Sequence, residues 1–222
     1  VGVSCVNALS TLLVAEIHRG GKIYKQTYSK GCPTSQVEIL GDCDDRGTTI
    51  TFKPDGDIFT LTTEYKYSIL SNRLRELAFL NKGIKIMFKD DREGKKKSET
   101  FHYEGGIKEY VEYLNKSHEA LYGDVIYAEG QKGDVYVEVA MQHNDSYTEN
   151  SYGFVNNINT PEGGTHLSGF KNALTKIFND YAREKKFLKD NEANLSGEDI
   201  REGLTAIISV KISEPQFEGQ TK

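Results

Sequence analysis

The residues best suited to chemistry lie near the two ends of this 222-residue chain. Its last stretch, Phe217-Glu218-Gly219-Gln220-Thr221-Lys222, puts an amide, a hydroxyl and an ammonium on a glycine-bearing loop. A rigid strand that delivers such a loop is a common way to present polar groups to an anion. Gln220 and Lys222 suit a terminal phosphate, one as an amide donor and the other as a compact positive charge. At the opposite end Val1-Gly2-Val3-Ser4 turns into a helical pattern. Free amides and the positive end of a helix dipole attract phosphate at such a point. Thr48, preceded by Gly47, opens a strand and can offer its hydroxyl to a ligand. Lys171 and Lys176 fall on the polar side of a long helix, where a basic face lining a cavity would meet nucleic-acid phosphates.

Each of these positions also has a plain structural reading. Gly2 suits helix capping or packing, Thr48 suits any strand, and lysines commonly form a solvated helix face. Glu104, Glu162, Glu202 and Glu218 include no pair spaced for acid/base work. The five histidines are scattered without an HExxH or HxxxH pair, and Cys5, Cys32 and Cys43 contain no CxxC. No metal site is expected, and the cysteine pattern fits a reducing cytoplasm better than a disulfide framework. Three triplets of glycosylation type begin at Asn115, Asn144 and Asn194; without a signal peptide they read as chance matches.

The elements that must position these groups follow from periodicity. Leu13–His18 and Lys22–Tyr28 alternate on either side of Gly20-Gly21 and predict a hairpin. Thr48–Lys53 predicts a strand closed by Pro54-Asp55-Gly56. Tyr67, Leu70, Leu74 and Leu77 predict a helix ended by Asn81-Lys82-Gly83, before a hairpin of Ile84–Asp90 and Glu99–Glu104 with a charged tip. Gly105-Gly106 marks the expected domain boundary, giving 1–104 and 105–222.

Beyond it a short helix precedes strands at Asp124–Ala128, Asp134–Gln142 and Ser151–Ile158. A long helix, His166–Leu188, should bury Leu167, Phe170, Leu174, Ile177, Phe178 and Tyr181, with Thr165 as its cap and Lys171, Asn172, Lys176 and Asn179 opposite. Ser196 and Asp199 form a capping pair before the closing strand, Thr205–Ile212, and Pro215 then ends regular pairing. Strand, helix and returning strand make a βαβ crossover, right-handed if the strands are parallel. The second half thus reads as α+β with helices on one face of a small sheet.

Composition is that of an ordinary globular chain, with 37% apolar and 27% charged residues. A net charge of −5 argues against a module devoted to gripping a nucleic-acid backbone, although a local basic groove is compatible with it. No apolar run approaches the roughly 18 residues of a membrane span. The chain begins with valine and reads as a piece of something longer.

Taken together, VGVSCVNALS, GTTITF, RLRELAFLN, FHYEGGIKEYVEYLN, GGTHLSGFKNALTK, NLSGEDIREGLTAIISVK and QFEGQTK resemble the DNA gyrase B family of type II topoisomerases, in a Gram-positive-type bacterial form. GGTH, REGLTA and GQTK in that order carry most of the likeness, which runs from end to end. The B-type chains of topoisomerase IV share most of these motifs.

The resemblance implies an α+β chain. Its residues 1–104 would be the C-terminal part of a GHKL-type ATPase sandwich, and 105–222 a βαβ transducer domain. It implies ATP and Mg2+ as cofactors. Val1, Gly2, Val3 and Ser4 would wrap the triphosphate, Thr48 would reach the adenine pocket, and Gln220 and Lys222 would act catalytically at the γ-phosphate. Arg19 and Thr48 would bind coumarin-type inhibitors, and Lys171 would face DNA passing through the dimer cavity. The implied partners are DNA, gyrase A in an A2B2 heterotetramer, and a second gyrase B on ATP binding, with no membrane.

The family's general-base glutamate, magnesium-binding asparagine and adenine-reading aspartate precede the glycine motif and have no counterpart in this sequence. The intact protein would therefore drive ATP-dependent negative supercoiling, while this chain alone would not hydrolyse ATP. Two other readings compete: a structural and interaction module, and a ribosomal-type βαβ RNA-binding module. The acidic balance and the lack of an aromatic-basic patch count against the second.

Overall fold

The computed structural model describes residues 2–217. By internal contacts the chain forms two compact units, Val1–Lys66 and Tyr67–Lys222.

The first unit is an antiparallel sheet with one short helix. Helix α1 (Gly2–Ala8) leads into β1 (Ser10–Arg19), and β2 (Lys22–Ser29) follows across the Gly20-Gly21 turn as the alternation predicts. Short β3 (Cys32–Pro33) and β4 (Glu38–Asp42) both pair with β2, and β5 (Gly47–Pro54) covers the other side of β1. Two buried polar groups pin its ends. Ser10 Oγ donates to Val6 O at 2.6 Å, tying β1 to α1. The Asp55 carboxylate, 2% exposed, meets Lys30 Nζ at 2.9 Å and accepts from Asp57 N at 3.0 Å. The Lys30 hydrogen bond holds the Asp55 carboxyl below the usual carboxylate range.

The second unit begins with α2 (Tyr67–Leu80) and the hairpin β6 (Lys85–Asp90) and β7 (Lys97–His102). At the hairpin tip Arg92 folds back on Asp90, with Nε 2.8 Å from Oδ1, and holds that carboxyl down to about 2. Helix α3 (Ile107–Leu114) follows, then β8 (Ile126–Lys132), β9 (Val135–His143), β10 (Asn150–Val155) and β11 (Ile158–Asn159). Helix α4 (Thr165–Glu184), the single-turn α5 (Gly197–Arg201) and β12 (Leu204–Lys211) complete it. Phe79 of α2 stacks between Tyr103 and Tyr110, with centroids 3.6 and 4.7 Å away. The stack binds α2 to residues on both sides of Gly105-Gly106, so compactness divides the chain at 66/67, ahead of the expected functional boundary at 104/105.

The sheet order is β11-β10-β12-β9-β8. The closing strand β12 lies inside it, parallel to β10 and antiparallel to β9, so β10, α4 and β12 form the expected crossover unit. Helices cover both faces of this sheet, not one. Ile207 packs with Ala140, Phe154, Ile107 and Val111 on the α3 side. Ala206, Ile208 and Val210 pack with Leu174, Leu167 and Phe178 on the α4 side. The reason is visible in β12 itself: Leu204 through Val210 are buried without a break, the pattern of a strand enclosed on both faces. Burying Leu204, Ile207 and Ile208 contributes about 1.5–3 kcal/mol each.

Several details of the expected second half differ: α4 ends at Glu184 rather than Leu188, and β8 runs from Ile126 to Lys132 rather than from Asp124 to Ala128. Residues 151–158 are not one strand, because Asn156 and Asn157 adopt φ of 49° and 65° and turn β10 into β11. Thr165 is the first helical residue of α4 and Gly164 its N-cap, with no side-chain cap bond. Along α4, Leu174 is buried, whereas Ile177 and Tyr181 are 62% and 55% exposed; Asn179, expected outside, is buried. Asn179 leaves the polar face because its amide grips the returning chain: Nδ2 donates to Leu195 O at 3.0 Å and Oδ1 accepts from Leu195 N at 2.8 Å. The Ser196–Asp199 capping box is present as expected.

Close packing of α4 on the sheet depends on Gly153. A Cβ there would stand 2.5 Å from His166 Nε2 and 2.8 Å from Leu167 Cγ. Gly153→Ala is therefore expected to lower stability by about 1–3 kcal/mol through overpacking, measured by denaturant unfolding of the whole chain.

Candidate functional site

In the first unit, strand register decides which residues share a face. Thr48 on β5 stands opposite Ile17 on β1. Arg19 is two residues beyond Ile17, so Thr48 and Arg19 project from the same side of the sheet. Phe52, opposite Leu13, belongs to that side too. It lines a cavity of about 290 Å³ with Cys5, Val6 and Leu9 of the α1 segment, Phe59 and Tyr65. The sheet thus brings Thr48 and Arg19 onto the face that α1 approaches.

Thr48 is exposed, and its hydroxyl has no hydrogen-bond partner among the described residues. Gly2, Val3 and Ser4 are exposed at the start of α1, and a Cβ on Gly2 would meet nothing within 4 Å. Val1 lies outside the described residues. On the opposite side of β1, His18 sits between Asp45 and Glu16, whose hydrogen bonds raise its pKa, the Asp45 bond most.

In the second unit the GGTH and REGLTA motifs have specific mechanical roles. Thr160 Oγ1 donates to Gly153 O at 2.9 Å, so it accepts from His166 Nε2, 2.8 Å away. Burial lowers the His166 pKa, which keeps the ring neutral in that arrangement. Gly203 has φ 69°, and a Cβ would fall 2.5 Å from Asn144 O and 2.6 Å from Ser146 O. Only glycine fits there. Asn144 and Asn115, both buried, complete a side-chain network with Gln142 and Thr205, so neither is presented to solvent.

Lys171 is half-buried and its ammonium lies 2.8 Å from Glu149 Oε1. The same carboxylate accepts from Arg201 Nε at 2.9 Å and Ser151 Oγ at 2.8 Å. Burial raises the Glu149 pKa, but the bonds from Lys171, Ser151 and Arg201 outweigh it and leave the group below its ordinary value. Lys176 is exposed and pairs with Asp180 one helical turn on. The two lysines are therefore unlike: Lys171 belongs to a charge network with an excess positive charge, and Lys176 to a simple surface pair.

Gln220 and Lys222 lie outside the described residues. The path toward them is described, however, and a residue that sequence reasoning missed directs it. Asn156 N donates to Val210 O at 2.8 Å, its Nδ2 donates to Ile212 O at 2.8 Å, and its Oδ1 accepts from Ile212 N at 3.0 Å. The turn β10–β11 thereby clamps the exit of β12. The available signal was the Asn-Asn pair itself, since asparagine tolerates the left-handed conformation best among non-glycine residues.

The comparisons agree with this architecture. The chain superposes on the 43K ATPase domain of gyrase B from Thermus thermophilus, a structure solved with an aminocoumarin. The TM-score is 0.87 at 37% identity, covering 98% of this chain and 59% of the other. The fold is thus that of a gyrase B ATPase region. A family model for DNA gyrase B matches residues 106–222, and the chain belongs to that family. The DNA gyrase B protein of Halalkalibacterium halodurans is 59% identical over the whole chain, and that of Clostridium acetobutylicum 58%. The chain spans 35% and 34% of their respective lengths. The matches favour gyrase over topoisomerase IV.

Two consequences can be measured. Because the folded Glu149 pKa is depressed, its contribution to stability is complete above the unfolded value, about 4.3, and is lost as pH falls through the folded value. The stability gap between the native chain and Glu149→Gln should accordingly be largest near neutrality and shrink below about pH 4, read from unfolding midpoints across pH. Asn156→Ala should cost about 1–2 kcal/mol from its two lost side-chain hydrogen bonds. Hydrogen exchange should speed up at Ile212 and leave the amides of β9 protected.

Proposed function

We propose that this chain is the nucleotide-contacting and transducing part of a bacterial DNA gyrase B protein, coupling ATP binding and hydrolysis to gate closure, strand passage and negative supercoiling. The observation that carries the reading is β12. It is buried on both faces, clamped at its exit by Asn156, and continuous in sequence with the segment bearing Gln220 and Lys222. A strand so held transmits any force on that segment to the whole second unit.

In this reading Gly2, Val3 and Ser4, with Val1, offer backbone amides to the triphosphate, and Thr48 offers its hydroxyl to the base. ATP with Mg2+ supplies the phosphoryl group and its charge neutralisation, the magnesium ligand coming from outside this chain. Lys222 and Gln220 place positive charge and an amide donor where negative charge accumulates in phosphoryl transfer. ATP then binds one conformation of the parent protein better than another, and hydrolysis removes that bias.

Arg19 and Thr48, sharing a sheet face, are the proposed contacts for coumarin-type inhibitors. Lys171 and, more weakly, Lys176 are the proposed DNA contacts; a phosphate would compete with Glu149 for Lys171. The functional boundary falls at 104/105. A second gyrase B, gyrase A and DNA complete the assembly, in the cytoplasm. Among the described residues no helix is long and apolar enough to cross a membrane. The general base and magnesium ligand have no counterpart here, so the chain alone is proposed not to hydrolyse ATP.

The test is binding of a non-hydrolysable ATP analogue with magnesium, to the chain alone and mixed with the preceding segment of a gyrase B protein. Binding only in the mixture is expected, and in the complete protein Lys222→Ala should reduce ATP turnover on the order of 100-fold. Tight binding to the chain alone, or unchanged turnover in the variant, would overturn the assignment.

A further inference from the structure

His18, Cys43 and Asp45 bring a ring nitrogen, a thiol sulfur and a carboxylate oxygen within 4.8 Å of one another. His18 lies near the end of β1, while Cys43 and Asp45 belong to residues 43–46, which join β4 to β5. One backbone bond holds the loop at the hairpin turn, Cys43 N donating to Gly21 O at 3.1 Å, and within the loop the Cys43 thiol lies 3.6 Å from Asp45 O. His18 Nδ1 is 2.6 Å from Asp45 Oδ1, and on the other side of the ring Nε2 is 3.3 Å from Glu16 Oε1. Glu16 precedes His18 by two residues on the strand and so shares its face.

We propose that His18 Nδ1, Cys43 Sγ and the Asp45 carboxylate bind a borderline-soft divalent cation of the zinc class, with Glu16 orienting the imidazole through its Nε2–H. The donor types decide the class of ion. A thiolate with an imidazole favours zinc-like cations over magnesium or calcium, which take oxygen ligands. A carboxylate behind a ligating histidine is the usual outer partner, because it fixes the tautomer and strengthens the ligand.

Tetrahedral binding at metal–ligand lengths of about 2.0–2.3 Å needs donors about 3.3–3.7 Å apart. The His18 Nδ1–Asp45 Oδ1 separation is 2.6 Å and all three donors lie within 4.8 Å of one another, so small side-chain shifts reach that range. Asp45, 72% exposed on its loop, has the freedom to adjust. On binding, the Cys43 thiol proton leaves to solvent and sulfur gives its electron pair to the cation. Three protein ligands leave a fourth position for water. No local motif announces the site, because its ligands meet only when residues 43–46 fold over the end of the β1–β2 hairpin.

The test uses the whole chain titrated with Co2+, whose thiolate charge-transfer absorption reports a sulfur ligand, followed by displacement with Zn2+. Binding of a single equivalent is expected, with the band lost in Cys43→Ser and His18→Asn but retained in Cys5→Ser and Cys32→Ser. Circular dichroism would verify that each variant is folded. Glu16→Gln should keep the band and weaken affinity about 10–100-fold. A folded native chain without the band, or a band that survives Cys43→Ser or disappears in Cys5→Ser, would overturn the site. Unchanged affinity in Glu16→Gln would overturn the role given to Glu16.

Discussion

Burial of β12 on both faces is the constraint on which the second unit depends. The strand separates two apolar clusters, one gathered under α3 and the other under α4, and contributes side chains to each. Its backbone is saturated by β10 on one edge and β9 on the other. A strand satisfied on four sides has no slack, so its direction, register and end are determined by the whole unit. The motifs around it serve that placement. Gly203 lets the chain pass against the Asn144 and Ser146 carbonyls at its start, and Asn156 clamps Ile212 at its end.

Charge plays a narrower part. Glu149 gathers Lys171 of α4, Arg201 of α5 and Ser151 of β10, joining the helix layer to the sheet at its polar margin. In the first unit Lys30 and buried Asp55 do similar work at the end of β5. Both pairs combine a hydrogen bond with partial burial, the conditions under which an ion pair is least screened by salt.

Much of this was legible in the sequence because its signals are local. The Gly20-Gly21 hairpin, the strand after Gly47, the capping box at Ser196 and the end of α2 near Asn81 were all read from spacing. What escaped depended on residues far apart in the chain. Nothing near Asn179 says that it will hold Leu195, and nothing near Ile177 and Tyr181 says that the apolar stripe of α4 is wider than the sheet beneath it. The unbroken burial of β12 was masked by Ser209, which gives the strand an alternating look although that serine is buried too. Of the candidate site, the shared face of Thr48 and Arg19 follows from the β1–β5 register, which the order of residues alone does not supply.

The order of strands also bears on how the second unit is made. Within its five-stranded sheet β12 is the last to be synthesised, yet it lies between β9 and β10. Until Lys211 has left the ribosome, those two strands have no partner on their facing edges, and the apolar sides of α3 and α4 have little sheet to cover. The native pairing of β9 and β10 through a shared neighbour is therefore available only after the last strand of the sheet has been made. The sheet is complete only when that strand takes its place between two that precede it in the chain.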